Sequence, residues 1–213
     1  MKTLKEVYAT EGDLNTKDNW DAFHDNFKGL LNYPPKFKYI SQELLTIPNA
    51  KVLEIGCGYG LLLKQIKKDH PDYQIEGMDF SKVAVDVINS NGILAKEGTI
   101  PDDLKNYSDY DVVIGTELLE HLSEENRIKT LEEVYRILKN GGKAIFTVPD
   151  NIMPPRDEPF HLTCFTKNTF KSLLSQVFDI CGVVQRDFLV SDNEPQPGKT
   201  WGEAAFLIGV CYK

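Results

Sequence analysis

The sequence lacks the features that mark membrane, secreted and cysteine-ligated zinc proteins. No apolar run among the 213 residues approaches the roughly 18 residues that a membrane-spanning helix needs. The first six residues lack the apolar core of a secretory signal. The cysteines stand apart at positions 57, 164, 181 and 211, without Cys-x-x-Cys pairing. These absences predict reduced thiols in a cytoplasmic protein with no membrane partner.

The chain is also short of positive charge. It has 24 Lys and Arg residues against 32 Asp and Glu residues, a formal net charge of -8. A broad surface for nucleic acid or anionic lipid needs the opposite balance, so we expect no nucleic-acid partner. The hydrophobic share of 41% and the charged share of 26% are ordinary for a soluble globular protein. The length suits a single domain over residues 1–213.

What the sequence does have is a glycine turn directly after a short apolar run. Residues 52–60 read Val-Leu-Glu-Ile-Gly-Cys-Gly-Tyr-Gly, which predicts a buried strand entering a helix. The third glycine comes one residue earlier than in a dinucleotide-binding turn. A helix N-terminus attracts an anion, whereas the carboxylate of Glu54 repels a pyrophosphate. The pair suits a ligand with both a carboxylate and an ammonium, such as the amino-acid end of S-adenosylmethionine.

A second acid supports this interpretation. Asp79 follows the next predicted strand, 23 residues after Gly56. An acid at the end of the second strand can accept hydrogen bonds from both hydroxyls of a ribose. The alternative is that Asp79 only caps a helix that begins near Ser81.

Strands and helices alternate strictly through the middle of the chain. Strands are predicted at 52–55, 73–78, 93–95, 111–115 and 143–148. This alternation predicts an α/β fold, with a parallel sheet and right-handed crossovers. A long helix is predicted from about residue 124 to 139, ended by a left-handed glycine cap at 140–142. A helix at 169–178 and strands at 180–185 and 204–212 predict a hairpin-like addition to the sheet.

These segments resemble the motifs of the class I S-adenosylmethionine-dependent methyltransferases. Residues 52–60 are similar to the first motif of that family, and residues 77–81 to the second. Residues 111–122 resemble the fourth-strand motif, and residues 138–143 the turn into the fifth strand. The resemblance implies a Rossmann-like sheet of seven strands, mostly parallel, with helices on both faces and the last strand antiparallel. It further implies S-adenosylmethionine as the cofactor.

The resemblance also implies a separate role for each of three segments of the chain. Residues 1–50 would form a helical cap or lid, 51–150 the cofactor-binding core, and 151–213 the acceptor-side loop and C-terminal hairpin. The implied cofactor-binding residues are Glu54, Gly56, Cys57, Gly58, Gly60, Asp79, Phe80, Gly98, Thr99, Thr116 and Glu117.

Each part of the cofactor has its implied partners. Glu54 and the glycine turn would hold the methionine end, with Cys57 contributing its backbone, and Asp79 would hold the ribose. Phe80 and Thr99 would flank the adenine. Gly98 stands where many members of the family carry an acid, and the neighbouring Glu97 is an alternative partner for the adenine.

A candidate catalytic turn follows the fourth strand. Glu117, Glu120 and His121 are spaced three and four apart, so they would share one face of a helical turn. Together with His161 they could hold a divalent metal, as in the small-RNA 3′-terminal 2′-O-methyltransferases, which this pattern resembles. Many small-molecule methyltransferases carry the same turn without metal, and we adopt that interpretation, with no metal site. His121 and His161 are then candidate general bases, and no role is predicted for His24.

The function predicted from the sequence is transfer of a methyl group from S-adenosylmethionine to a small-molecule acceptor. Two alternatives stay open: metal-dependent 2′-O-methylation of RNA 3′ ends, and cofactor binding without catalysis. The sequence names neither the acceptor nor the oligomeric state.

Overall fold

The computed structural model of the chain describes residues 13–27, 36–44, 46–150, 160–186 and 206–213. The strands in these ranges are β1 (Lys51–Ile55), β2 (Gln74–Asp79), β3 (Leu94–Glu97), β4 (Tyr110–Thr116), β5 (Leu138–Pro149), β6 (Ile180–Arg186) and β7 (Phe206–Tyr212). The α-helices are α1 (Lys17–Phe27), α2 (Lys36–Leu44), α3 (Leu61–Asp69), α4 (Lys82–Ser90), α5 (Glu124–Ile137) and α6 (Lys167–Leu174). Short 3₁₀ turns lie at Asp102–Asn106 and Leu119–His121.

The strands form one sheet in the order β3-β2-β1-β4-β5-β7-β6. Strands β1 to β5 run parallel, and β7 pairs antiparallel with both β5 and β6. The predicted Rossmann-like sheet with an antiparallel last strand is therefore confirmed. The strand order changes direction between β1 and β4, which opens a crevice beyond their carboxyl ends, where open α/β sheets bind ligands.

Helices cover both faces of the sheet, and for this reason the central strands are almost wholly apolar. On one face, Val52 and Ile114 pack in a core with residues of α2 and α3. On the other face, Leu53 and Val113 pack with residues of α5 and α6. Because neighbouring residues of β1 and β4 point to opposite faces, both cores are anchored on the strands whose ends carry the site.

The predicted glycine cap after α5 is wrong. The helix ends at Ile137, and β5 begins at once with Leu138, so residues 140–142 belong to the strand. The β4–β5 ladder passes from the pair Tyr110–Leu138 to the pair Val112–Lys143, which leaves a bulge between them. The backbone N–H of Gly141 donates to the carbonyl of Lys213. Pairing with a segment distant in the sequence thus replaces the predicted helix cap, although Gly141 keeps the left-handed φ of 76°.

The C-terminal strands form the predicted hairpin-like addition. The β6–β7 ladder runs from the pair Ile180–Tyr212 to the pair Arg186–Phe206. The predicted start of β7 at residue 204 lies outside the described residues. Helix α6 starts two residues earlier than predicted and ends at Leu174, followed by a turn. Among the described helices, none combines the length and apolar character needed to cross a membrane.

Candidate active site

The glycine turn between β1 and α3 is tied to the end of β2. The backbone N–H groups of Gly56 and Cys57 both donate to the carbonyl of Met78, at 2.8 and 3.1 Å. Gly56 and Gly60 have φ values of 65° and 66°, in the left-handed region. A Cβ on Gly56 would lie 2.8 Å from Leu118, and one on Gly60 would lie 2.9 Å from the side chain of a buried isoleucine on α4. The turn therefore requires glycine for both backbone conformation and space.

Asp79 lies at the carboxyl end of β2 and faces this turn. Its carboxylate accepts hydrogen bonds from the backbone N–H groups of Gly58 and Ser81, each at 2.8 Å. Burial raises the pKa of the Asp79 carboxyl, and the charge of a nearby histidine and these two hydrogen bonds oppose the rise. The cap of α4 is Ser81 itself, whose side chain accepts from the N–H of Ala84. Capping thus leaves Asp79 available for a ligand.

A cavity of about 530 Å³ opens above these two segments. The predicted site residues that line it are Gly56, Gly58, Asp79, Phe80, Gly98, Thr99, Glu117 and His121. Its other walls come from α1 and the segment before it, from the start of α5, and from Leu162. The alternative adenine partner Glu97 instead pairs with Lys17, at 3.3 Å.

The remaining predicted residues are not among those that line the cavity. Glu54 is buried beneath the glycine turn, where it accepts a hydrogen bond from the hydroxyl of Thr116 at 3.2 Å. Burial raises the pKa of the Cys57 thiol well above its usual value, and its backbone belongs to the turn. Gly60 begins α3, and the ring of His161 lies 4.9 Å from the ring of His121. The cofactor and catalytic roles of these residues stay predictions.

The turn after β4 is shorter than predicted. Its 3₁₀ segment covers only Leu119–His121, and Glu117 precedes it with a left-handed φ of 48°. Glu117 is fixed by β5: its N–H donates to the carbonyl of Thr147, and its carboxylate accepts from the Thr147 hydroxyl, both at 2.9 Å. Because Glu117 lies outside the turn, the spacing rule for a helical face does not apply to it.

Among the described residues, Glu120, His121 and His161 form a group of potential metal ligands. One ligand atom from each lies within 4.8 Å of the others. This differs from the predicted set of four, because Glu117 is not in the group.

His121 is held in one orientation by the loop that carries His161. Its Nδ1 lies 3.0 Å from the carbonyl oxygen of Phe160. A carbonyl can only accept, so Nδ1 carries the proton and Nε2 keeps a lone pair. Burial lowers the pKa of His121 to about 4. The ring is therefore neutral at pH 7 and can accept a proton or bind a metal.

Helix α1 covers the cavity and joins its two ends. On one side, Asp21 accepts hydrogen bonds from the hydroxyl of Ser81 and the N–H of Val83. On the other side, the Trp20 ring lies 5.0 Å from the rings of both His121 and Phe160, measured between centroids.

Three cavity residues on α1, namely Lys17, Trp20 and His24, are absent from the predicted site. Trp20 and His24 both line the cavity, and His24 is buried. Their i, i+4 spacing was the available signal, since it places an aromatic ring and an imidazole on one helix face.

Comparison with known proteins shows what the chain is similar to. Residues 52–142 match a family described as a methyltransferase domain. The chain is 29% identical over 149 residues to a ubiquinone biosynthesis O-methyltransferase of Coxiella burnetii, which covers 67% of this chain and 61% of that protein. It is 29% identical over 176 residues to an uncharacterized protein of Methanocaldococcus jannaschii, covering 76% of this chain and 67% of that protein. The chain thus spans less than two thirds of the first relative.

Solved structures agree on the fold. A SAM-dependent methyltransferase from Archaeoglobus fulgidus superposes with a TM-score of 0.63 at 18% identity, covering 90% of this chain and 98% of that one. TehB from Haemophilus influenzae superposes with a TM-score of 0.63 at 14% identity, covering 91% of this chain and 66% of that one. With the sheet order, the glycine turn and the match over residues 52–142 together, the chain is similar to the S-adenosylmethionine-dependent methyltransferases and shares their fold.

Proposed function

We propose that the protein transfers a methyl group from S-adenosylmethionine to a hydroxyl of a small-molecule acceptor. The observation that carries the proposal is the continuity of one cavity, which runs from Asp79 and the glycine turn to the neutral imidazole of His121. Oxygen as the nucleophile is supported by the similarity to an O-methyltransferase. A small acceptor is supported by the acidic chain and by the cover that α1 places over the cavity.

The donor end of the cavity suits the parts of the cofactor. Asp79 offers carboxylate oxygens to the ribose hydroxyls, and Gly56 and Gly58 let the backbone approach the amino-acid end beside the N-terminus of α3. Phe80 and Thr99 would flank the adenine. When bound, the cofactor supplies an electrophilic methyl group on a positively charged sulfur. The protein then has to align the acceptor and exclude water.

In this proposal His121 acts as the general base through Nε2. With a pKa of about 4, the ring does not hold a proton before the reaction. The acceptor hydroxyl becomes strongly acidic only as its oxygen bonds to carbon, so proton removal accompanies methyl transfer. The carbonyl of Phe160, which fixes Nδ1, keeps Nε2 turned to this task.

The test combines binding and turnover. Calorimetry should show that the protein binds S-adenosylhomocysteine with one site, and methyl transfer should then be measured on simple phenols, catechols, amines and thiols. Turnover of hydroxyl acceptors alone supports the proposal. Binding without turnover on any acceptor supports the non-catalytic alternative, and transfer restricted to amines or thiols contradicts the choice of oxygen.

The group of Glu120, His121 and His161 favours a second candidate, metal-assisted transfer to a hydroxyl. A divalent ion on these side chains would bind the acceptor oxygen and lower its pKa. In that case a chelator abolishes turnover and an added divalent ion restores it, while binding of S-adenosylhomocysteine is unchanged. Turnover on RNA 3′ ends under the same conditions would identify the RNA alternative.

A further inference from the structure

Asn15 joins the cover of the cavity to the loop beside His121. It lies just before α1 and is among the residues that line the cavity. Its Oδ1 accepts a hydrogen bond from Nε1 of Trp20 at 3.2 Å, and its Nδ2 donates to the carbonyl of Phe160 at 2.9 Å. An indole N–H can only donate and a carbonyl can only accept, so these two contacts fix which way the amide points.

The second hydrogen of the Asn15 amide is also engaged by the protein. Nδ2 lies 3.2 Å from Oδ1 of Asp13, and the same oxygen accepts from the backbone N–H of Asn15 at 2.9 Å. Both N–H bonds of the amide thus have partners, and none is left to donate to a ligand. The contribution of Asn15 to the site is therefore made through the carbonyl that it holds.

The carbonyl of Phe160 is shared by Asn15 and His121. Nδ1 of His121 lies 3.0 Å from the same oxygen. A carbonyl oxygen has two lone pairs, which suit these two donors. The loop itself is placed by other contacts, since the buried ring of Phe160 packs against aromatic rings of α1 and the N–H of Leu162 donates to the carbonyl of Glu120 at 2.8 Å. The Asn15 amide then directs the carbonyl at the imidazole.

Two acceptors compete for the proton of the His121 ring. The carbonyl of Phe160 lies at Nδ1, and Oε1 of Glu120 lies 3.9 Å from Nε2. The second distance is too long for a hydrogen bond, so the carbonyl keeps the proton on Nδ1 while it points at the ring. If the carbonyl turned away, Nε2 would take the proton and approach Glu120. Nε2 would then have no lone pair for the hydroxyl of an acceptor.

We propose that Asn15 is a positioning residue, which acts through the carbonyl of Phe160 to keep the proton of His121 on Nδ1 and the lone pair on Nε2. Its effect on turnover rests on the general base proposed above, whereas the tautomer of His121 can be measured without any acceptor. Neither the motifs nor the comparisons assign this role. It makes the active form of the base depend on the segment before α1 being in place.

The first test determines the tautomer of His121 by nitrogen-15 NMR of protein with labelled histidine rings. The His121 signals are those that disappear in His121→Gln, and in the unaltered protein they should show the proton on Nδ1. Asn15→Asp has nearly the same size and keeps an acceptor for Trp20, but it loses the donor to Phe160. This substitution should move the proton largely to Nε2, and Asn15→Ala should do the same.

Asn89→Ala is the matched control. The Asn89 amide also bridges two backbone groups, because it donates to the carbonyl of Ala95 at 3.1 Å and accepts from the N–H of Ala95 at 2.9 Å. It joins α4 to β3 and is outside the group of described residues that line the cavity. Its loss removes a comparable pair of hydrogen bonds, but the tautomer of His121 and kcat should not change. Thermal unfolding shows that each variant is folded.

The second test measures turnover of a hydroxyl acceptor. Asn15→Asp should lower kcat by about fivefold to tenfold, the value of one hydrogen bond, and leave the KM of the acceptor within about twofold. In the His121→Gln background, Asn15→Asp should change kcat by less than about twofold, because a positioning residue has no effect once the group it positions is gone. The affinity for S-adenosylhomocysteine should be the same with and without Asn15→Asp.

Two results would overturn the inference: an unchanged tautomer of His121 in Asn15→Asp, or an equal loss of kcat with and without the imidazole of His121. If the tautomer responds to Asn15→Asp but His121→Gln leaves kcat unchanged, the positioning role holds and the general base of the proposed function fails. If His121→Gln lowers kcat and the tautomer does not respond, only the role of Asn15 fails.

Discussion

The floor of the cavity and its cover differ in how they are built: strand ends form the floor, and a helix forms the cover. The floor lies at the ends of β1 and β2. There the backbone N–H groups of Gly56 and Cys57 donate to the carbonyl of Met78, and the N–H of Gly58 donates to the carboxylate of Asp79. The cover consists of side chains on α1 and on the segment before it that contact residues far away in the chain, as Asn15 does in donating to the carbonyl of Phe160. The floor thus follows from short sequence segments, and the cover depends on tertiary packing.

The largest effect is expected in the floor. Asp79→Ala removes the acceptor for both ribose hydroxyls, so the affinity for S-adenosylhomocysteine should fall by about 1000-fold. Calorimetry measures the loss, and thermal unfolding checks that the turn survives without its hydrogen bonds. Asp86→Asn, an exposed acid on α4, is the matched control. An unchanged affinity would remove Asp79 from the site.

A smaller effect is expected at His121, on turnover rather than on donor binding. His121→Gln removes the proposed base and should lower kcat by about 100-fold. The affinity for S-adenosylhomocysteine should stay within about twofold, because the imidazole acts on the acceptor. Steady-state kinetics with a hydroxyl acceptor, combined with calorimetry, separates the two. A loss of donor affinity equal to the loss of kcat would contradict the proposal that one end of the cavity binds the donor and the other end acts on the acceptor.

The role of the cover is tested with Trp20→Ala. The indole packs between His121 and Phe160, so its loss should raise the KM of the acceptor by about tenfold, in line with the loss of aromatic packing. Donor affinity should change by no more than about threefold. Tyr212→Ala, a half-exposed ring at the far end of the sheet, controls for general loss of aromatic surface. Equal effects on both ligands would show that the cover does not distinguish them.

The smallest effect is expected in the framework at the opposite end of the sheet. Burial raises the pKa of Asp111, but hydrogen bonds and charges from Lys139 and Lys51 more than compensate and lower it overall. This contribution to stability is present above the unfolded pKa and is lost as the pH falls through the folded pKa. Asp111→Asn should therefore lower the free energy of unfolding by about 1 kcal/mol at pH 7.

Urea unfolding at several pH values measures this difference. It should vanish in strong acid, where the carboxyl is protonated in both states, and donor affinity should be unaffected at pH 7. A destabilisation that persists in acid would mean that the ion pair is not its cause.

The floor of the cavity could largely be predicted from the sequence, and its cover could not. The glycine turn, the parallel sheet and the place of Asp79 at the end of a strand depend on local spacing and on the few topologies open to alternating strands and helices. His24 and Trp20 are absent from the predicted site because their spacing places them on one helix face but does not show which surface that face covers. The cap predicted at 140–142 failed for a related reason, since a strand pairing with Lys213 replaced it.

The position of α1 over the cavity has a consequence for the order in which ligands bind and leave. We expect a donor that lies on Gly58 beneath α1 to leave more readily when α1 lifts, and lifting would break the contacts of Asp21 with α4. We therefore expect the donor to load first and its demethylated product to leave last, with release of that product limiting turnover. The protein would then spend most of its cycle occupied, and the cellular ratio of S-adenosylmethionine to S-adenosylhomocysteine would set its activity.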